Sequence, residues 1–222
     1  EELSKSVNEL KSAPFDMVEW RADFFNDIED PQKRFQAMSF LREQLGNTPI
    51  LFTARTSVEG GKLDIDTEGH VKLLTSVIDT GLMDLVDVEL SRGEDAMKTI
   101  RDAAHKAGMH IIGSLHDFAS TPSKERIVYH LCQMQKLGAD IVKYAVTPQC
   151  ARDVLTLLDA TLTMQEEHNE TPVITMSMGG QGAVSRVCGS VFGSSITFGT
   201  AGNSSAPGQL PADLLSTFIN NL

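Results

Sequence analysis

Short apolar runs recur along this chain at intervals of roughly 23 to 34 residues, and the stretches between them are amphipathic. The runs are FDMVEW (15–20), PILFTA (49–54), LMDLVDVEL (82–90), HIIGSL (110–115), ADIVKYAV (139–146), PVITMSM (172–178) and SITFG (195–199). Runs this short, with little polar interruption, suit strands buried on both faces. The stretches DPQKRFQAMSFLREQLG, GEDAMKTIRDAAHKAG and SKERIVYHLCQMQKLG carry helix signals and close on Gly46, Gly108 and Gly138. Strand followed by helix, repeated, is the rhythm of βα units around a parallel sheet.

The count comes to seven strands and eight helices, because EELSKSVNELKSA opens the chain and PADLLSTFINNL closes it, both helix-like. A (β/α)8 barrel places a strand before that opening helix. The expectation is therefore an α/β fold, a single (β/α)8 TIM-barrel domain over residues 1–222, N-terminally truncated and lacking its first β-strand and any hairpin before it. A doubly wound open sheet explains the alternation as well, but leaves the leading helix without a reason.

With 41% hydrophobic and 22% charged residues in 222, the chain has enough apolar material for a sizeable core. No stretch approaches the run of about 20 apolar residues that spans a bilayer. The net charge of −11 disfavours nucleic acid and anionic membranes as partners. An anionic small molecule must instead be met by individual cations. Cys132, Cys150 and Cys188 have no metal-ligand spacing and suggest buried free thiols in a cytoplasmic protein.

The strand pattern gathers polar groups on particular faces. Met17, Glu19 and Arg21 point together in the first run, and Leu51, Thr53 and Arg55 in the second. His116 ends the fourth, and the fifth aligns Ile141, Lys143 and Ala145. Ile174, Met176 and Met178 align in the sixth. Strand ends on the carboxyl side of a parallel barrel form one pocket. Each residue also has a bland reading: Glu19, Arg21 and Arg55 as solvated loop charges, His116 as a turn residue. Lys143 resists that reading, because Ile141, Val142, Tyr144 and Ala145 surround it and burying an ammonium without compensation is costly. Such a lysine is expected to have a lowered pKa and to attack a carbonyl as the neutral amine. An imidazole such as that of His116 suits the proton transfer that follows.

The loops supply further candidates. Glu59, before Gly60 and Gly61, is either the carboxylate that holds the tautomer of His116 or part of a solvated loop. SMGGQG resembles an anion-binding turn only weakly, since it lacks the spacing and Lys of a P-loop. Arg186 is either a bidentate carboxylate clamp or an exposed helical Arg. GNSSAPGQLP reads as a lid or as ordinary turn chemistry. Asp87 and Glu89 share a face without an assigned role beyond balancing interior cations. The other histidines, including His70, read as structural.

Taken jointly and in order, EWRAD, FTARTSVEGG, SLHDF, ADIVKYAV, MSMGGQGAVSR, VFGSSITFG and SAPGQL closely resemble type I 3-dehydroquinate dehydratase, the Schiff-base enzyme of the shikimate pathway of aromatic amino acid biosynthesis. The resemblance runs from about Phe15 to the C-terminus. It implies that Lys143 forms an imine with 3-dehydroquinate, that His116 is the general acid/base, and that Glu59 tunes it. It further implies that Arg186, Ser205 and Gln209 meet the carboxylate and hydroxyls, and that Glu19, Arg21 and Arg55 hold ring hydroxyls. Met176, Met178, Phe198 and Ala206 would be apolar walls. No metal or organic cofactor is implied, and members are commonly homodimers. Two other readings remain: a class I aldolase- or transaldolase-like barrel, and a catalytically silent barrel that binds a quinate-like ligand.

Overall fold

The computed structural model describes residues 2–202 and 204–222. In chain order the elements are α1 (Glu2–Leu10), β1 (Val18–Arg21), α2 (Pro31–Leu45), β2 (Ile50–Thr53), α3 (Thr67–Ile78), β3 (Leu85–Glu89) and α4 (Glu94–Lys106). There follow β4 (His110–Asp117), α5 (Lys124–Lys136), β5 (Ile141–Val146), α6 (Ala151–Glu167), β6 (Val173–Ser177), α7 (Gly179–Cys188) and α8 (Ala212–Ile219). The alternation is that of a (β/α)8 chain. The helix signals work as read: Asp30 accepts from the backbone of Gln32 and Lys33 at the start of α2, Pro31 stands first in that helix, and Gly46 closes it at φ 58°.

The chain divides into two compact units, and β4 carries the backbone from one to the other. The first unit holds Phe15–Ser114 and Leu137–Asp140. In it β1, β2, β3 and the start of β4 pair in parallel, with Glu19 opposite Leu51, Arg21 opposite Thr53 and Glu89 opposite Ser114. Ile50, Leu51 and Phe52 are entirely buried, and side chains of this kind contribute about 1.5–3 kcal/mol each. β1 and β3 run directly into short 3-10 turns, Ala22–Phe24 and Leu90–Arg92, and another, Ser57–Glu59, follows β2 after Ala54, Arg55 and Thr56.

The second unit holds the chain up to Pro14, Leu115–Lys136 and Ile141–Leu222. Here β5 and β6 pair in parallel, with Lys143 opposite Ile174 and Ala145 opposite Met176. The helix α7 springs straight from the end of β6. A Cβ on Gly182 would lie 2.2 Å from the Ser177 carbonyl oxygen, so only glycine lets the helix seat this closely.

Six of the seven expected strands form among the described residues; SITFG does not. Ser194 makes an isolated bridge with Val173, and Thr200 another with Pro211. Between them the Ser195 amide donates to the Val173 carbonyl at 2.8 Å and side chains supply further bonds: Ser194 Oγ accepts from the Thr175 amide at 3.1 Å, and Thr197 Oγ1 donates to the Arg186 carbonyl at 3.0 Å. Isolated bridges and hydroxyl bonds therefore stand where an apolar run was expected to build a ladder. The cysteines are free but not fully buried as expected: Cys132 and Cys188 are half-buried, and Cys150, at the start of α6, is exposed.

Gly182→Ala is expected to lower stability by roughly 1–3 kcal/mol in chemical denaturation, the usual cost of forced overpacking. Gly180→Ala, where a Cβ meets nothing within 4 Å, is expected to be neutral or mildly stabilising. Equal effects of the two substitutions would contradict this account of the β6–α7 junction.

Candidate active site

The polar ends of β1 to β4 condense around Arg55. This side chain is 4% exposed and lies just past β2. Its Nη2 meets Asp87 at 2.8 Å, and its Nη1 meets Glu89 at 3.0 Å, Ser114 Oγ at 3.1 Å and Glu59 at 3.4 Å. Burial pushes the guanidinium pKa down, but the fields of Asp87, Glu89, Glu59 and Glu19 together outweigh it and the net shift is upward. Arg55 is thus no solvated loop charge. Ser114 also donates to Asp87 at 2.5 Å, binding the end of β3 to β4.

Glu89 arranges the loop that follows. It accepts from the Thr56 amide at 2.8 Å and from the Thr56 hydroxyl at 2.5 Å, and Arg92 approaches its other side at 3.4 Å. A Cβ on Gly61 would fall 2.0 Å from the Arg55 carbonyl oxygen, so the loop folds back tightly only with glycine there. Glu59 is buried as a result, not solvated. Burial raises its pKa first; Arg55 opposes that, Glu89 raises it further, the Ser91 hydroxyl opposes, and Asp87 adds a smaller rise, leaving it pushed up to about 8. Asp87 and Glu89, unassigned from sequence, are therefore the counter-ions of Arg55. Ser91 gave no signal in the sequence at all.

Glu19 and Arg21 sit on β1. Thr53 Oγ1 donates to Glu19 at 2.8 Å, confirming the shared face of the first two strands. Arg21 is held by a bidentate pair with Asp23, at 2.7 and 2.9 Å, and lies 4.9 Å from the Phe24 ring centroid. His70, read as structural, is buried on α3, and burial pushes its imidazole pKa down.

In the second unit Lys143 is 4% exposed at the middle of β5, between the buried Val142 and Tyr144. Its Nζ lies 4.5 Å from the centroid of Phe198, over the ring face, where the π quadrupole attracts a cation. His116 is half-buried near the end of β4, with its ring 22° from the plane of Phe118. Met176 and Met178 are buried beside β5 and α7. Arg186, on α7, is 3% exposed. Its Nη1 lies 3.6 Å from the Met176 sulfur and its Nη2 donates to the Pro207 carbonyl at 3.3 Å, while Nε has no hydrogen-bond partner. No carboxylate pairs with it among the described residues, and burial alone lowers its pKa.

The segment 204–209 is closed on itself by Gln209. Its Oε1 accepts from the Ser205 amide at 2.8 Å, the Ala206 amide at 3.2 Å and the hydroxyls of Ser204 and Ser205 at 3.2 and 3.3 Å. The Gly179 amide donates to Pro207, which joins this segment to the first turn of α7. Asn203, within the loop read as a lid, lies outside the described residues. Among the described residues no cluster of His, Cys, Asp and Glu is arranged to hold a metal ion, and no helix is long and apolar enough to cross a membrane.

Folded Glu59 keeps its proton up to about pH 8, whereas the unfolded chain releases it in the ordinary carboxylate range. Between those limits the folded state binds more protons, so this contribution to stability is complete at low pH and is lost as pH rises through about 8. Denaturant titrations from about pH 5 to 8 should show stability falling, by at most about 1.4 kcal/mol per pH unit from this group. Glu59→Gln should flatten that slope; an unchanged slope would place the proton elsewhere.

The family model for type I 3-dehydroquinase matches residues 1–222. The 3-dehydroquinate dehydratase of Syntrophotalea carbinolica is 47% identical, over 99% of this chain and 88% of its own length. That of Clostridioides difficile is 44% identical, over 100% of this chain and 87% of its own. A crystal structure of the type I enzyme from Clostridium difficile, with covalently modified comenic acid, superposes with a TM-score of 0.95 at 44% identity, covering 98% of this chain and 86% of that one. The 3-dehydroquinate dehydratase of Geobacillus kaustophilus gives 0.94 at 38% identity, over 99% and 85%. The (β/α)8-type fold and the sequence both place this chain in the type I 3-dehydroquinase family.

Proposed function

We propose that the chain is a hydro-lyase that dehydrates 3-dehydroquinate to 3-dehydroshikimate through a lysine imine. The observation that carries this reading is Lys143, an amine held at 4% exposure in the middle of a strand of a type I 3-dehydroquinase. The Lys143 amine attacks the ketone carbon, and loss of water gives an iminium that draws electrons from the adjacent carbon. His116 takes the C2 proton, giving an enamine. The enamine expels the C1 hydroxyl, which leaves as water with a proton returned by His116. Hydrolysis of the iminium releases the product and restores the amine. Glu59, in its ionised form, steadies the imidazolium that His116 becomes.

Arg186 supports the binding half of the proposal. A buried guanidinium without a carboxylate partner is costly, and a substrate carboxylate would supply the missing anion in bidentate geometry. Ser205 and Gln209 add hydroxyl contacts, Glu19, Arg21 and Arg55 orient the ring hydroxyls, and Met176, Met178, Phe198 and Ala206 wall the ring. The proposal extends to a homodimer in the cytoplasm, in keeping with the family resemblance.

Borohydride added with 3-dehydroquinate should leave a ligand-derived mass on Lys143, and Lys143→Ala should show neither adduct nor dehydration. His116→Ala should still trap the imine while kcat falls about 10²- to 10⁴-fold. Arg186→Ala should weaken kcat/KM by about 10- to 100-fold, as expected for loss of a charge-assisted hydrogen bond. Trapping with a sugar phosphate alone would point to an aldolase, and binding with neither adduct nor product to a silent barrel.

A further inference from the structure

We infer that Ser91, an exposed residue outside the set already assigned, is the positioning residue that holds the Glu59 carboxylate; this rests on the dehydratase reading above. Ser91 lies in the 3-10 turn Leu90–Arg92, which β3 enters directly. The residue stands at the surface. Its hydroxyl nevertheless turns inward and donates to Glu59 Oε1 at 2.5 Å, across 32 residues of sequence. Glu59 itself is 1% exposed.

The charges facing Glu59 explain why this donor matters. Arg55, beyond β2, reaches Glu59 Oε2 only at 3.4 Å, and the same Nη1 serves Glu89 at 3.0 Å and Ser114 at 3.1 Å. Asp87 and Glu89 on β3 add negative charge on the near side. Glu19 on β1 acts on Arg55, Arg92 engages Glu89 from the same turn as Ser91, and His70 on α3 senses Glu89, Arg92 and Asp87. Arg55 is thus shared among several carboxylates, while the shorter of these two bonds to Glu59 comes from a neutral hydroxyl. That bond fixes the rotation of the carboxylate and favours its anionic form. Because the Ser91 hydroxyl turns inward onto a buried carboxylate, its loss also touches stability, and Ser91→Thr, which keeps the hydroxyl, separates the effect on Glu59 from the effect on folding.

The experiment compares wild type, Ser91→Ala and Ser91→Thr. The Glu59 carboxyl is followed by carbon NMR on protein labelled with carboxyl-carbon-13 glutamate, its signal identified by its loss in Glu59→Gln. The pH profile of kcat and kcat/KM for 3-dehydroquinate is measured in parallel. In Ser91→Ala the carboxyl titration should move to higher pH by about one unit or less. The acid limb of the activity profile should follow, with kcat falling about 3- to 10-fold near neutrality while KM holds. Thr, which keeps the hydroxyl, should restore both. Superimposable titrations for wild type and Ser91→Ala would overturn the inference, as would a shifted titration with an unmoved activity profile in an active enzyme. If wild type turned over no 3-dehydroquinate, the dehydratase reading would fall separately. The carboxyl titration would then decide: a shift would sustain the hold of Ser91 on Glu59, and coincidence would end it.

Discussion

A guanidinium buried to 4% exposure and gripped by Asp87 and Glu89 is the interaction on which one half of this molecule is organised. Removing one member of such a cluster leaves a charge stranded in a poorly polarisable interior, so the members persist together or not at all. The geometry has a directional consequence. Arg55 joins the end of β2 to β3 and β4, and Glu89 then fixes the Thr56 amide where the chain turns away from the sheet. The path of the next residues follows, with Ser57 donating its amide to Leu63 and Gly61 folding under Arg55. Glu59 is buried because the loop has no other way to run.

The second unit shows the opposite imbalance. Around Arg55 and Arg92 stand Glu59, Asp87 and Glu89, and the surplus of carboxylates is met by a proton on Glu59. Around Arg186 there is a sulfur, a carbonyl and, among the described residues, no carboxylate. One region therefore stores a proton and the other leaves a cation in want of an anion. A neutral ligand would leave Arg186 as uncompensated as before.

Most of the fold was legible because period and punctuation agree. Asp30 with Pro31, and Gly46 after Leu45, bound α2 as their chemistry requires. Lys143 stood out because an ammonium amid β-branched residues contradicts its surroundings, and its burial bears that out. SITFG misled for a physical reason: an apolar run shows what a segment buries, not where its amides find acceptors. In the structure the Ser195 amide finds the Val173 carbonyl, while the hydroxyls of Ser194 and Thr197 bond the Thr175 amide and the Arg186 carbonyl in place of a longer ladder. Arg55 was visible as a strand-end charge, but its three carboxylate partners lie 4, 32 and 34 positions away, and no local pattern links them. Ser91 was invisible, since a serine after a strand is ordinary turn chemistry until the residue across from it is known.

That the donor to Glu59 is a serine and not a second cation also fits the work proposed for it. An Arg or Lys at position 91 would bring a full charge to within bonding distance and drive the carboxylate toward the ordinary ionised range or below it. The neighbouring Arg55 already supplies such a field, shared with Asp87 and Glu89. A hydroxyl adds a short bond without adding charge, so it trims the proton affinity of a buried carboxylate in a small step. A group meant to steady an imidazolium for part of a cycle and release it in the rest is best kept near its point of titration. A pKa pushed up to about 8 by burial, and held from rising further by Arg55 first and by the Ser91 hydroxyl after it, keeps Glu59 there.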